Sequence, residues 1–179
     1  MKKLFQSTEQ FVAVLVSEQA SAELGQNASA YEPMIGSWAV TVLDHIADEK
    51  TLTTRGEWNF AWILEGRAIQ DVFMVPQLSE RHVGMSKLYN RYGTTIRIFD
   101  ETIQKWKIFW FNPVNGAQNE LEVTVLPDRI VQLGKDSSGN LMRWIFTEIK
   151  PDSFKWSGEL SKDAGQSWAL QAEFFAVRK

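Results

Sequence analysis

The sequence predicts an all-β protein: an up-and-down antiparallel β-barrel of about ten strands preceded by one N-terminal helix. Three observations carry this reading. From residue 35 onward, apolar side chains recur at every second position, the period of a strand with one buried face. Turn-forming clusters such as "ADEK", "NPVNG", "KDSSGN" and "SKDAGQ" separate the runs, with no helical period between them. A meander of this length also leaves two edge strands that would template aggregation, and closure into a barrel removes them.

Taken in order, residues 1–32 read as a helix and linker, and residues 33–179 as the barrel domain. Ser7 with Gln10 fits a capping box, and Gly25 is a helix stop. Phe11, Val14, Leu15 and Leu24 share a face that Val12 and Val16 widen, so the helix must bury it on the barrel or on a second copy, as in a homodimer. "GQNASAYEP" reads as a linker. The strand runs are 36–46, 51–64, 67–76, 85–99, 104–112, 118–126, 129–134, 141–149, 153–161 and 166–178, with "PQLSERHVG" a longer loop. No repeat in the range of about 20–50 residues recurs, so a propeller is not expected.

The composition narrows the function classes. At 44% hydrophobic and 23% charged, the 179 residues suffice for one well-packed domain. A net charge of −3 without any basic run argues against nucleic acid. The apolar stretch "FVAVLV" behind Lys2 and Lys3 is shorter than the about 7–15 residues of a secretory core. No run reaches the roughly 18 apolar residues of a membrane helix either. The expected setting is therefore cytoplasmic, without membrane contact. There is no cysteine, which removes disulfides, thiol catalysis and Cys-ligated metal. His45 and His82 stand alone, and neither a nucleophile elbow nor a phosphate loop is present. "DSSGN" and "KDAGQ" lack the carboxylates of a calcium loop. No cofactor and no metal are expected.

Alternation assigns the strand faces. Trp58, Phe60, Trp62 and Leu64 share one side; so do Trp106, Ile108, Trp110 and Asn112, and likewise Phe154, Trp156, Gly158 and Leu160. These sets are assigned to the interior, where they either fill the barrel or line an aromatic pocket. Polar residues on apolar faces stand out, because burial without a partner costs about 1–3 kcal/mol each. Asp71 shares a face with Ile69, Phe73 and Val75; Asn119 with Leu121, Val123 and Val125; Arg143 with Leu141 and Ile145, opposite Trp144 and Phe146. Arg67 or a backbone amide would be the partner of a buried Asp71. Glu57 and Arg97 lie opposite packed apolar faces and are expected in solvent; were those faces reversed, both would be internal. Glu57 with Asp71 is a weak acid/base candidate on neighbouring strands, with Arg97 an anion holder. The candidate binding residues are thus Trp58, Phe60, Trp62, Asp71, Phe73, Trp110, Asn119, Arg143, Trp144 and Trp156.

Gly36 and Trp38 at the barrel's start, with "EFFAVRK" at its end, resemble the calycin superfamily of lipocalin-like and fatty-acid-binding-like barrels. In lipocalins the Gly-x-Trp tryptophan packs on an arginine near the last strand's end, a role the resemblance gives to Arg178. "GEWNFAWILEGRAIQDVFMVP", "YGTTIRIFD", "WFNPVNG", "RWIFTEIKPDSFKWSGELSKDAGQSW" and "AEFFAVRK" are similar to an uncharacterised bacterial lipocalin-like group. That resemblance implies a closed barrel with a small-molecule cavity above Trp38 and implies no reaction. Related haem-binding barrels use a histidine near the C-terminal end; here the last histidine is His82.

The sequence leaves three functions open. One is a binding protein for a small hydrophobic or aromatic metabolite. Another is a lipocalin-like enzyme of secondary metabolism (cyclase, hydratase or isomerase) working through Asp71, Glu57 or Arg97. The third is a filled-barrel interaction module that docks through the helix or through outward Phe109 and Phe111.

Overall fold

The structure, a computed structural model, describes residues 2–46, 50–86 and 91–179. Ten antiparallel strands form one meander: β2 (Gly36–Ile46), β3 (Lys50–Ile63), β4 (Ala68–Val75), β5 (Arg91–Asp100), β6 (Lys105–Asn112), β7 (Ala117–Leu126), β8 (Arg129–Lys135), β9 (Leu141–Thr147), β10 (Ser153–Ser161) and β11 (Ala169–Arg178). Each pairs with its neighbour in sequence, and β11 pairs back on β2 from Ala172↔Asp44 to Arg178↔Trp38, which closes the barrel. A two-residue strand, β1 (Val16–Ser17), lies beside Ile63 and Trp62 of β3, where β2, starting opposite Phe60, has not yet begun. The strand runs read from the sequence correspond to these ten. The run expected from residue 85 begins as strand at Arg91; residues 87–90 lie outside the described ones.

The N-terminal helix α1 (Lys2–Leu15) starts earlier and ends earlier than its capping and stop signals predict. The chain leaves it to pair as β1, and Leu15 accepts a hydrogen bond from Leu64 N at 2.8 Å. Phe11, Val12 and Val14 remain exposed in the single chain. No described helix is long and apolar enough to cross a membrane.

The segment expected to be a linker is folded instead. Residues Ala22–Ala30, kinked at Gly25, and Glu32–Met34 form 3-10 turns across one end of the barrel. Leu24, Ala28, Tyr31 and Met34 are buried there, while the polar residues between them face outward. Ser21 caps the first helix by accepting from Glu23 N at 3.3 Å.

That end is sealed by Trp38 and Arg178. The Arg178 guanidinium lies over the Trp38 indole, 4.1 Å from the ring centroid. It also donates to the carbonyls of Pro33 (2.7 Å), Ile35 (2.9 Å) and Pro151 (2.6 Å). Trp38 Nε1 donates to Met34 O at 2.7 Å, tying the 3-10 segment to the first barrel strand. Gly36 makes this approach possible: a Cβ there would stand 2.6 Å from Arg178 Nη1, and its φ of 123° is open to glycine.

Candidate functional site

Beyond the seal, the inward side chains first close-pack and then separate. Trp106, Ile108, Leu121, Ile130, Phe146 and Phe154 fill the lower barrel, together with Phe60 and Trp62. Tyr31 enters from below, edge-on to Trp106 (5.3 Å) and Phe146 (6.5 Å). Above this layer lies a cavity of about 570 Å³.

Its wall is a continuous run of rings. Trp110 meets Trp144 (5.8 Å), Trp144 meets Trp156 (5.9 Å), and Trp156 stacks on Phe174 (4.2 Å). Phe174 stacks on Phe73 (4.8 Å, planes within 6°), and Phe73 meets Trp58 (5.4 Å). Six aromatic side chains from six strands are therefore locked in edge-to-face, tilted or stacked contacts, so the wall is preorganised. Gly158 gives the Trp156 ring its place: a Cβ would come within 2.7 Å of it.

The floor is polar. Arg97 Nη1 donates to Asp71 Oδ2, and both side chains are almost wholly buried. The Arg97 guanidinium also lies 5.1 Å from the Tyr31 ring centroid and 5.3 Å from that of Phe60. Gln132, fully buried, donates from Nε2 to Tyr31 Oη at 3.3 Å. Burial pushes the Tyr31 phenol up to about 12, against the pull of the Arg97 charge, so it is neutral at physiological pH. Four atoms of this region make no hydrogen bond among the described residues: Asp71 Oδ1, Arg97 Nε, Gln132 Oε1 and Trp58 Nε1.

The rim belongs to the opposite end from the Trp38 seal: Arg91, Asn112, Asn115, Asp136 and Gln171 line it. Asp136 is held below its ordinary range, first by the Asn140 amide it accepts from, then by backbone amides. Arg91 pairs with Asp44 at 2.8 Å.

The structure distributes the sequence-derived candidates as follows. Trp58, Asp71, Phe73, Trp110, Trp144 and Trp156 line the cavity. Phe60 and Trp62 are buried in the packed layer below it. Asn119 faces inward opposite Trp110, where its amide can donate to the carbonyls of Gln118 (3.1 Å) and Lys135 (3.3 Å). Arg143 points outward, stacked 4.0 Å over Trp168 and paired with Glu159, because the apolar face formed by Leu141 and Ile145 is an outer one. Glu57 also faces outward and pairs with Lys179. It cannot act with Asp71 as an acid/base pair, since the two carboxylates lie on opposite sides of the sheet.

Arg97 reverses its expected exposure, being 1% exposed and the partner of Asp71 in place of Arg67, which pairs with Glu23 outside. Ile96 and Ile98 mimic a core face, but Ile98 is exposed and Ile96 sits opposite Phe109 on the outer surface. Leu64, assigned inward, lies in the turn after β3 and is exposed. The structure adds Tyr31, Gln132 and Phe174 to the site. A lone carboxylate on an apolar face, Asp71, was the available signal that a buried cation must face it.

No protein-family model matches the sequence, and no curated protein matches it. Solved structures do resemble it. Rv2717c from M. tuberculosis superposes with a TM-score of 0.59 at 12% identity, covering 90% of this chain and 99% of that one. The S-type phycobiliprotein lyase CPES from Guillardia theta superposes with a TM-score of 0.54 at 10% identity, covering 84% and 91%. What this chain shares with both is an up-and-down antiparallel barrel. At these identities the likeness is one of fold, and the residues of the cavity have to be read from their own chemistry.

Proposed function

We propose that this protein binds a small, flat, largely aromatic molecule inside the barrel. The observation that carries the reading is the cavity of about 570 Å³, walled by six mutually packed aromatic rings over a polar floor. A largely preformed apolar pocket with a few polar groups at one end is the usual form of a small-molecule site. The rings already hold one another, so little side-chain freedom remains to be lost on binding.

The test uses N-phenyl-1-naphthylamine, a neutral aromatic probe whose emission rises in apolar surroundings. The full chain is expected to bind it saturably and one-to-one. Ala172 lines the cavity from β11 and is buried, so Ala172→Trp places an indole in the space. That variant, shown to be folded by circular dichroism, is expected to lose at least about tenfold in affinity, the equivalent of about 1.4 kcal/mol. Unchanged binding by a folded Ala172→Trp protein would place the probe elsewhere and end the cavity reading.

A further inference from the structure

The floor of the cavity narrows the class of ligand, an inference that rests on the binding reading above. The Asp71–Arg97 pair carries no net charge, because the carboxylate and guanidinium bond directly to each other. An incoming anion would meet a cation already matched by Asp71, with the Asp71 carboxylate itself repelling it. An incoming cation would meet Arg97 in the same way.

What the floor lacks is hydrogen bonds in both senses. Asp71 Oδ1 and Gln132 Oε1 are acceptors without a protein donor among the described residues; Arg97 Nε and Trp58 Nε1 are donors without an acceptor. All four atoms are covered, on side chains that line the cavity, so a ligand meets them as those side chains turn toward it. Their side chains gather about one polar cluster: Arg97 bonds to Asp71 and lies over the Tyr31 ring, Gln132 donates to the Tyr31 hydroxyl, and Trp58 is the next inward residue along β3 from Phe60, the register partner of Asp71. Unmet buried polar groups of this kind are costly, and a group that supplies their missing partners recovers that loss.

We propose that the buried end of the ligand is a neutral group with both a donor and an acceptor, such as a phenol, a lactam or a neutral imidazole, and that the site discriminates against carboxylates. The aromatic wall takes the flat body, and the floor reads the polar end. A site built around unmet hydrogen bonds rejects an analogue lacking them more strongly than an apolar pocket rejects a change of size.

Three near-isosteric fluorophores test this on the full chain: 1-hydroxypyrene, 1-methoxypyrene and 1-pyrenecarboxylate, titrated at a pH where the hydroxyl stays protonated. The hydroxyl probe is expected to bind about tenfold or more tighter than the methoxy probe, which accepts but cannot donate. The carboxylate is expected to be the weakest. In Asp71→Asn the Arg97 charge is freed, and the order is expected to turn, with the carboxylate now bound most tightly. The wild-type series stands without the variant should Asp71→Asn fail to fold. Equal affinity for all three probes, or a wild-type preference for the carboxylate, overturns this inference and leaves the cavity reading intact. No saturable binding of any probe overturns both.

Discussion

Asp71 and Arg97 are where stability and recognition part company. Taking two charges out of water is expensive, and their attraction often only matches that penalty, so a buried pair is weak evidence of a stabilising role. Here the pair also leaves Asp71 Oδ1 and Arg97 Nε unmatched, which weakens the case further. Removing one partner is a different matter, because it strands a charge at about 1% exposure. Asp71→Val or Arg97→Met alone is therefore expected to lose about 3–5 kcal/mol in urea unfolding. The double variant is expected to return to within about 1 kcal/mol of the wild type, or to exceed it. Its preference for hydroxylated over methoxylated probes should be gone even so. A double variant as unstable as the sum of the singles would mean that the pair holds the barrel together.

At the scale of elements, the barrel strands were legible because a closed sheet has an inside and an outside, and alternation follows from that alone. Trp58, Trp110 and Trp156 could be placed inward on this basis. The rule fails where the outer surface is also apolar. Ile96, Ile98, Leu141 and Ile145 resemble a core face, and they misdirect Arg97 and Arg143. The 3-10 segment was illegible for another reason. Leu24, Ala28, Tyr31 and Met34 are scattered among Gln26, Asn27 and Ser29, so no period announces that they fill the barrel's end. This separates two parts that the sequence had joined. Truncation through residue 15 removes α1, whose Phe11, Val12 and Val14 face solvent in the single chain. It is expected to shift the melting temperature by no more than a few degrees, given about 2–4 °C per kcal/mol at this chain length. Truncation through residue 34 removes Tyr31 and Met34 from the sealed end. It is expected to cost more than the about 3–5 kcal/mol of a single large-to-alanine change in a core, and the protein should not melt cooperatively. Calorimetry of the two truncations distinguishes a plug from a tether.

The whole molecule couples these regions because the barrel has no free edge among its ten strands. Every strand from β2 to β11 has a partner on both sides, and the closing pair joins residues 38–44 to 172–178. The barrel should therefore unfold as one unit, and a ligand held inside it should stabilise all of it at once. Whether the rings fill the barrel or line it depends on its diameter, which is set by strand number and stagger rather than by any local pattern. That is why the cavity could be posed as a question from the sequence but not answered. A probe that binds the native barrel alone, present at about a hundredfold its Kd, adds about 2.7 kcal/mol to the unfolding free energy. For a chain of this length that amounts to a rise in Tm of about 5–10 °C. The rise with 1-hydroxypyrene should persist in the chain truncated through residue 15, since none of the described α1 side chains lines the cavity. It should be absent from the Ala172→Trp barrel, in which the same strands remain paired but the space is occupied. Loss of the shift on removing α1 would instead place part of the binding surface on the helix, outside the barrel.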